Sequence, residues 1–288
     1  MIDLSNESPD RVADWIEIVA ASRHGMPFPV QKIQEISERL ANVNSVVIPY
    51  AFKTLQQRSR ILGAYYPFTV DETYIATKKT VEDSVYLRLL FVTPGPWRAI
   101  PSTIWNVEAS SRLFEDVVDG ALSTFFGANT HTINFGFPSR NGRPADFPAA
   151  VKWLSEKTNI RLGNAFRPPR KKDGGVDLFV WKSFSDKKPG IPIMLVQCTI
   201  MEDFINKIGD IDIRLWSSWL SSDIEPLVAL AIPGLAHGDE VWSEITTRGI
   251  LLDRLRLVES SQDVPPDVMP DGFEFLREFV AEISNSLH

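Results

Sequence analysis

Apolar residues near the start of the chain recur at helical spacing. Val12, Ile16 and Val19 follow Ser8-Pro9-Asp10, which joins a hydroxyl cap, a first-turn proline and an acid at the positive end of the helix dipole. A second helix is predicted over residues 30–41, with Ile33, Ile36 and Leu40 on one face. Between Tyr65 and Thr93 the pattern is mixed. Residues 68–77 are rich in strand formers, whereas the apolar run 86–92 suits either element. Thr93-Pro94-Gly95-Pro96 then interrupts any regular structure. It is the expected boundary between an accessory domain at 1–95, mainly helical or α+β, and a second domain at 96–288.

Beyond that breaker, helical and strand patterns alternate. Residues 107–126 read as a helix, with Leu113, Val117, Val118, Leu122 and Phe125 as its apolar stripe. A short strand is predicted at 132–137, a helix at Phe147–Thr158, and two strands at 176–181 and 191–199 joined by a polar turn. There follow a helix at 202–220, a buried strand at 227–232, a short helix at 239–248, a strand with or without a turn at 250–258, and a closing helix at 271–287. The succession implies an α/β domain, a sheet flanked by helices.

Charge narrows the function. The 288 residues carry a formal net charge of −7, which argues against a protein that coats nucleic acid along its whole surface. Locally the sign reverses. Between Arg161 and Gly190 stand Arg161, Arg167, Arg170, Lys171, Lys172, Lys182, Lys187 and Lys188 against Asp173, Asp177 and Asp186. The single cysteine, Cys198, excludes a disulfide framework. An acidic, polar N-terminus and short apolar runs lead us to expect a cytoplasmic protein with no membrane association.

One stretch of the positive region carries candidate chemistry. Asp173-Gly174-Gly175 is a tight turn that leads through Val176-Asp177 into a strand, and Gln197 comes near the end of the next strand. An antiparallel pairing of the two would bring Asp177 and Gln197 to one edge of the sheet. A carboxylate and an amide oxygen there are hard ligands of the kind Mg²⁺ accepts. Glu115, on the preceding helix, is the third candidate ligand, with Asp116 as its rival.

These elements resemble the PD-(D/E)xK nuclease superfamily, and within it the Mrr-like restriction endonucleases. Gly174-Gly175-Val176-Asp177 matches the turn into the first strand of that pattern, and Gln197-Cys198-Thr199 matches the end of the second, except at its last position. Residues 107–232 follow the core order, while the N-terminal third has no counterpart. The resemblance implies a restriction-endonuclease-like core, a central mixed sheet flanked by helices. It also implies Mg²⁺ (or Mn²⁺) held by Glu115, Asp177 and Gln197, hydrolysis of DNA phosphodiester bonds, and a setting in prokaryotic restriction or antiphage defence. A homodimer and protein partners within a defence system are further expectations.

Thr199 stands where that family has lysine. Lys207, on the following helix, is the expected substitute, and Lys182 lies at the wrong edge. Arg167, Arg170, Lys171 and Lys172 would contact phosphates, with Pro168-Pro169 holding the segment extended. Two other readings stand beside this one. The first is a catalytically inactive nuclease-fold subunit that binds nucleic acid or protein, and the second is an RNase or toxin-type nuclease. Trp216, Trp219 and Cys198 are expected in the core, Asp210 and Asp212 in local ion pairs, and the scattered histidines in structural roles. No phosphate-binding or dinucleotide glycine loop is present in the sequence.

Overall fold

A computed structural model describes residues 3–23, 25–37, 42–95 and 107–261, together with Glu278 and Ala281. The chain divides into two compact units, Met1–Ser111 with Asp271–His288 and Arg112–Pro270. The division therefore falls later than the Pro-Gly breaker. A breaker ends an element, whereas a unit ends where the packing partners change. The last turn of the predicted second helix and nearly all of the predicted closing helix lie outside the described residues.

In the first unit, Ser8 caps α1 (Pro9–Ala21) as its sequence predicts, its hydroxyl accepting from Arg11 N. Then come β1 (Phe28–Pro29), α2 (Val30–Ile36), α3 (Ile48–Leu62), β2 (Phe68–Val70), β3 (Tyr74–Thr77) and α4 (Val85–Val92). The strands form an antiparallel sheet in the order β1-β3-β2, so the unit is α+β. α3 has no counterpart among the sequence expectations, although Ile48, Phe52, Leu55 and Leu62 keep helical spacing and are buried.

The centre of this unit is ionic. The buried Arg58 Nη1 donates to Asp14 Oδ1 at 2.7 Å and to Glu17 Oε2 at 2.8 Å. The hydroxyls of Tyr66 and Tyr86 also donate to Glu17. Charges removed from water persist only when paired in this way.

The second unit contains most of α5 (Val107–Leu122), followed by β4 (Thr130–Asn134), α6 (Phe147–Thr158), β5 (Arg161–Leu162), β6 (Leu178–Lys182) and β7 (Ile193–Cys198). A 3₁₀ turn (Ile205–Asp210), α7 (Ile213–Trp219), β8 (Leu220–Ser221), β9 (Leu227–Ala231), α8 (Asp239–Thr246), β10 (Ile250–Leu252) and α9 (Arg254–Ser260) complete it. Five strands make a mixed sheet ordered β10-β9-β7-β6-β4. β7 is parallel to β9 and antiparallel to β6, which is antiparallel to β4. β5 and β8 form a separate two-stranded ribbon. The α/β sheet flanked by helices is thus as expected.

Both faces of this sheet are covered. Phe179, Trp181, Leu195, Leu230 and Leu251 alternate along their strands and pack with Phe147 and Leu154 of α6 and Trp216 and Trp219 of α7. Full burial of such side chains stabilises by roughly 1.5–3 kcal/mol each. Both tryptophans are core residues, as expected, and Trp216 Nε1 donates to Gly174 O at 3.1 Å. The opposite alternation, Leu178, Val180, Met194 and Val196, is also buried. Asn134, the cross-strand partner of Leu178, shares that face and bonds to Glu115 of α5. This places α5 on that side.

Four predicted elements differ by more than two residues or in kind. α5 stops at Leu122 and gives way to turns, Gly127 N donating to Thr124 O at 2.7 Å. β4 ends at Asn134 because Phe135 N and Gly136 N both turn to Asp177 O, at 2.7 and 3.0 Å. The long helix expected at 202–220 is two pieces. The backbone of Asp210 lies against Gly175, and Asp212 then restarts the helix by accepting from Arg214 N and Leu215 N. The segment 250–258 is a strand followed by α9, which Asp253 caps. Among the described residues no helix is long and apolar enough to cross a membrane.

Candidate functional site

Asp177 lies one residue before β6, and its amide donates to Val196 O at 2.9 Å. The β6–β7 register, Leu178 opposite Val196, carries Gln197 to its side. The expected meeting of the two residues at one sheet edge is therefore present. Asp177 Oδ2 accepts from Gln197 Nε2 in a short hydrogen bond and from Cys198 N at 2.7 Å.

The amide of Gln197 is oriented by its two neighbours. Gln197 Nε2 also donates to Cys198 O at 3.2 Å. Both groups it faces are acceptors, so the nitrogen must point toward them and the amide oxygen away. Gln197 holds the Asp177 carboxyl group at Oδ2.

Glu115 is brought into the same cluster. Its Oε2 accepts from Asn134 Nδ2 at 3.2 Å and from Arg140 Nη2, while Arg140 Nη1 reaches Asp116 Oδ1 at 3.0 Å. Glu115 is the more enclosed of the two acids, as its helical phase predicts. Burial, then the charge of Glu115, hold the Asp177 carboxyl well above the usual carboxylate range. Burial also raises Glu115, against the pull of Arg140, and raises Asp119 of the same helix. The Cys198 thiol is pushed up by burial and by Asp177, Glu115 and Asp119, in that order. It stays protonated beside three acids, which is no setting for a nucleophile.

Two oxygens in this cluster matter for a cation. Asn134 is nine-tenths buried, and its Oδ1 has no hydrogen-bond partner among the described residues. Asp177 Oδ1 lies across the same space, which Gly136 keeps open. A Cβ there would sit 3.2 Å from Asp177 Oδ1 and 3.8 Å from Asn134 Oδ1. Mg²⁺ typically takes one or two carboxylates and keeps several waters. Asp177 Oδ1, Asn134 Oδ1 and the charge of Glu115 fit that requirement. Among the described residues, however, no three His, Cys, Asp or Glu side chains are arranged as a metal-binding group.

Lys207 is placed beside this edge but not in it. It sits on the 3₁₀ turn instead of an α-helix, with its Nζ 3.8 Å from Asp210 Oδ2. Lys171 Nζ pairs with the same oxygen. Because Asp210 rests on Gly175, both amines border the turn that delivers Asp177, and Lys171 lowers the Asp177 pKa against its burial. Thr199 is buried, and its hydroxyl accepts from Met201 N at 3.2 Å, so the position holds no cation.

Of the basic segment, Arg167 and Arg170 are exposed, and neither forms an ion pair among the described residues. Lys172 Nζ lies 4.4 Å from the centroid of the Phe137 ring. His131 stacks on Trp181 and shares a hydrogen bond with Ser183, a structural role, while His24 and His288 fall outside the described residues.

Sequence reasoning missed Asn134, Gly136, Asp119 and Arg140. Asn134 and Gly136 lay inside a predicted strand, where the one polar side chain on a buried face was the available signal. Nothing local marks Arg140, which reaches Glu115 from a loop. The chain matches no known protein family, no curated protein and no solved structure.

Proposed function

We propose that this chain is a metal-dependent endonuclease that hydrolyses DNA phosphodiester bonds on a restriction-endonuclease-like core. The observation that carries this reading is the convergence of Asp177, Gln197 and Glu115 at the edge where β6 meets β7, each from the element the resemblance requires. Mg²⁺ or Mn²⁺, when bound, supplies an activated water and offsets charge developing on the phosphate. Asp177 Oδ1 and Asn134 Oδ1 would hold that cation, and Glu115 would add its negative charge from α5. Gln197 and the Cys198 N–H keep the Asp177 carboxylate from rotating.

Lys171 and Lys207, gathered by Asp210, supply the positive charge that Thr199 lacks. Arg167, Arg170 and Lys172 bind phosphates along the incoming strand. The cytoplasmic setting in restriction or antiphage defence, a homodimer and defence-system protein partners belong to the same proposal through the resemblance.

A second reading has its own support. Thr199 is buried without an amine, and Arg140 already neutralises Glu115. A nuclease-fold subunit that binds without cleaving would show both features. Incubation with duplex DNA, single-stranded DNA and RNA, in Mg²⁺, Mn²⁺ or EDTA, separates the readings. Cleavage of DNA that needs the metal and is lost in Asp177→Asn supports the endonuclease. Cleavage of RNA alone assigns an RNase, and the absence of product on every substrate assigns the binding subunit.

A further inference from the structure

Phe166 is 92% exposed. A single exposed apolar side chain ordinarily needs no explanation, but the backbone around this one is pinned on both sides. Ala165 N donates to Ser218 O at 3.1 Å, and the core residue Trp219 donates through Nε1 to Arg167 O at 3.2 Å. Gly163 N bonds to Trp219 O at 2.8 Å, and a Cβ on Gly163 would come within 2.1 Å of Ser218 O. The segment is a fitted strap on α7 and β8, and it presents the Phe166 ring outward between two anchors.

What surrounds the ring is cationic and polar. Arg167 and Arg170 are exposed and unpaired among the described residues. An open cleft of about 490 Å³ lies against the strap, lined by Leu162, Asn164, Phe166, Arg167, Ser217 and Ser218 among others. Pro168-Pro169 holds the residue before each proline extended, and the chain bends from Arg170 onward. The segment then reaches Lys172, whose amine covers a second partly exposed ring, Phe137. Gly136, next to Phe137, touches Asp177. The exposed Phe166 ring stands at one end of the segment and Lys172, over Phe137, at the other, with Arg167 and Arg170 between them.

We propose that this strap is a track for a single-stranded polynucleotide, with one base stacked on Phe166 and the backbone phosphates on Arg167, Arg170 and Lys172. An aromatic face accepts any base but only once it is unpaired, because a duplex buries its base faces in its own stack. Aromatics alternating with cations are the physical requirement for single-strand binding. This deepens the nuclease reading and rests on it for the role of the track. Binding, however, is measured without catalysis.

The test is fluorescence anisotropy in EDTA on the full chain, with labelled oligothymidylate, oligouridylate and a DNA duplex. Single strands are expected to bind more tightly than duplex. Phe166→Ala should weaken single-strand binding about ten-fold without changing its salt dependence, and Phe166→Trp should restore it. Arg167→Ala with Arg170→Ala should instead flatten the slope of log affinity against log salt by about 1.4. Both sites are exposed, so unchanged thermal midpoints will show that the fold is intact. The tighter of the two single strands identifies the source of the ligand. Unchanged binding by Phe166→Ala, or preferential binding of duplex, overturns the proposal. Loss of cleavage alone bears only on the catalytic reading.

Discussion

Gly175→Ala tests whether the Gly174-Gly175 turn organises the site. Gly175 has φ +79°, and a Cβ built on it would meet the carbonyl oxygen of Asp210 at 2.2 Å and its carbon at 2.6 Å. Two costs follow. Holding an L-residue in the left-handed region costs about 1–2 kcal/mol. The methyl must also push the Asp210 backbone away by about 1 Å, which disturbs a packed core and adds another 1–3 kcal/mol. Gly190 separates the two, because its φ is +85° and nothing lies within 4 Å of its Cβ position. Gly190→Ala carries the conformational cost alone.

At about 2–4 °C per kcal/mol for a unit of this size, Gly190→Ala should lower the thermal midpoint by about 4 °C and Gly175→Ala by about 10 °C. Tryptophan fluorescence follows both, since Trp216 packs on the turn. Equal shifts for the two variants would refute the close approach of Gly175 to Asp210. The placement of Lys171 and Lys207 beside the Gly174-Gly175 turn would fall with it.

Three further outcomes are expected. Arg58→Met leaves Asp14 and Glu17 in the first unit without their guanidinium and should cost about 3–5 kcal/mol in urea denaturation, whereas a loss below about 1 kcal/mol would show that the network is not enclosed. Asp177, Glu115 and Asp119 have raised carboxyl pKa values, so the folded state keeps protons that the unfolded chain has released. Their contribution to stability is gained as pH falls through the window above the ordinary carboxylate range and is lost as pH rises. In EDTA, Asp177→Asn should therefore stabilise the chain more at neutral than at mildly acidic pH, and the reverse order would contradict the burial of that acid. Gln197→Leu removes a donor to Asp177 without removing a ligand, so it should weaken Mn²⁺ binding less than Asn134→Leu does. Calorimetric titration decides between them.

The sheet was legible in the sequence because its strands are short apolar runs bounded by turn residues. Asp177 and Gln197 could be paired from the hairpin pattern alone, since antiparallel register follows from where the turn sits. The break in the helix expected at 202–220 was not legible. It arises from contact between Asp210 and Gly175, residues far apart in the chain, and local periodicity carries no trace of it. The amide orientation of Gln197 was hidden for a similar reason. It depends on two acceptors, Asp177 Oδ2 and Cys198 O, whose positions exist only once the strands have paired. Asn134 and Arg140 enter the site through a strand end and a loop, where spacing gives no phase to read.

The central claim is that a divalent cation binds at Asp177, and Mn²⁺ titration followed by electron paramagnetic resonance tests it most directly. The free aqueous Mn²⁺ signal should be depleted by the wild-type chain at a saturable site, with Mg²⁺ competing for it, and Asp177→Asn should lose that site while remaining folded. Equal depletion by both proteins, or none by the wild type, would contradict the account.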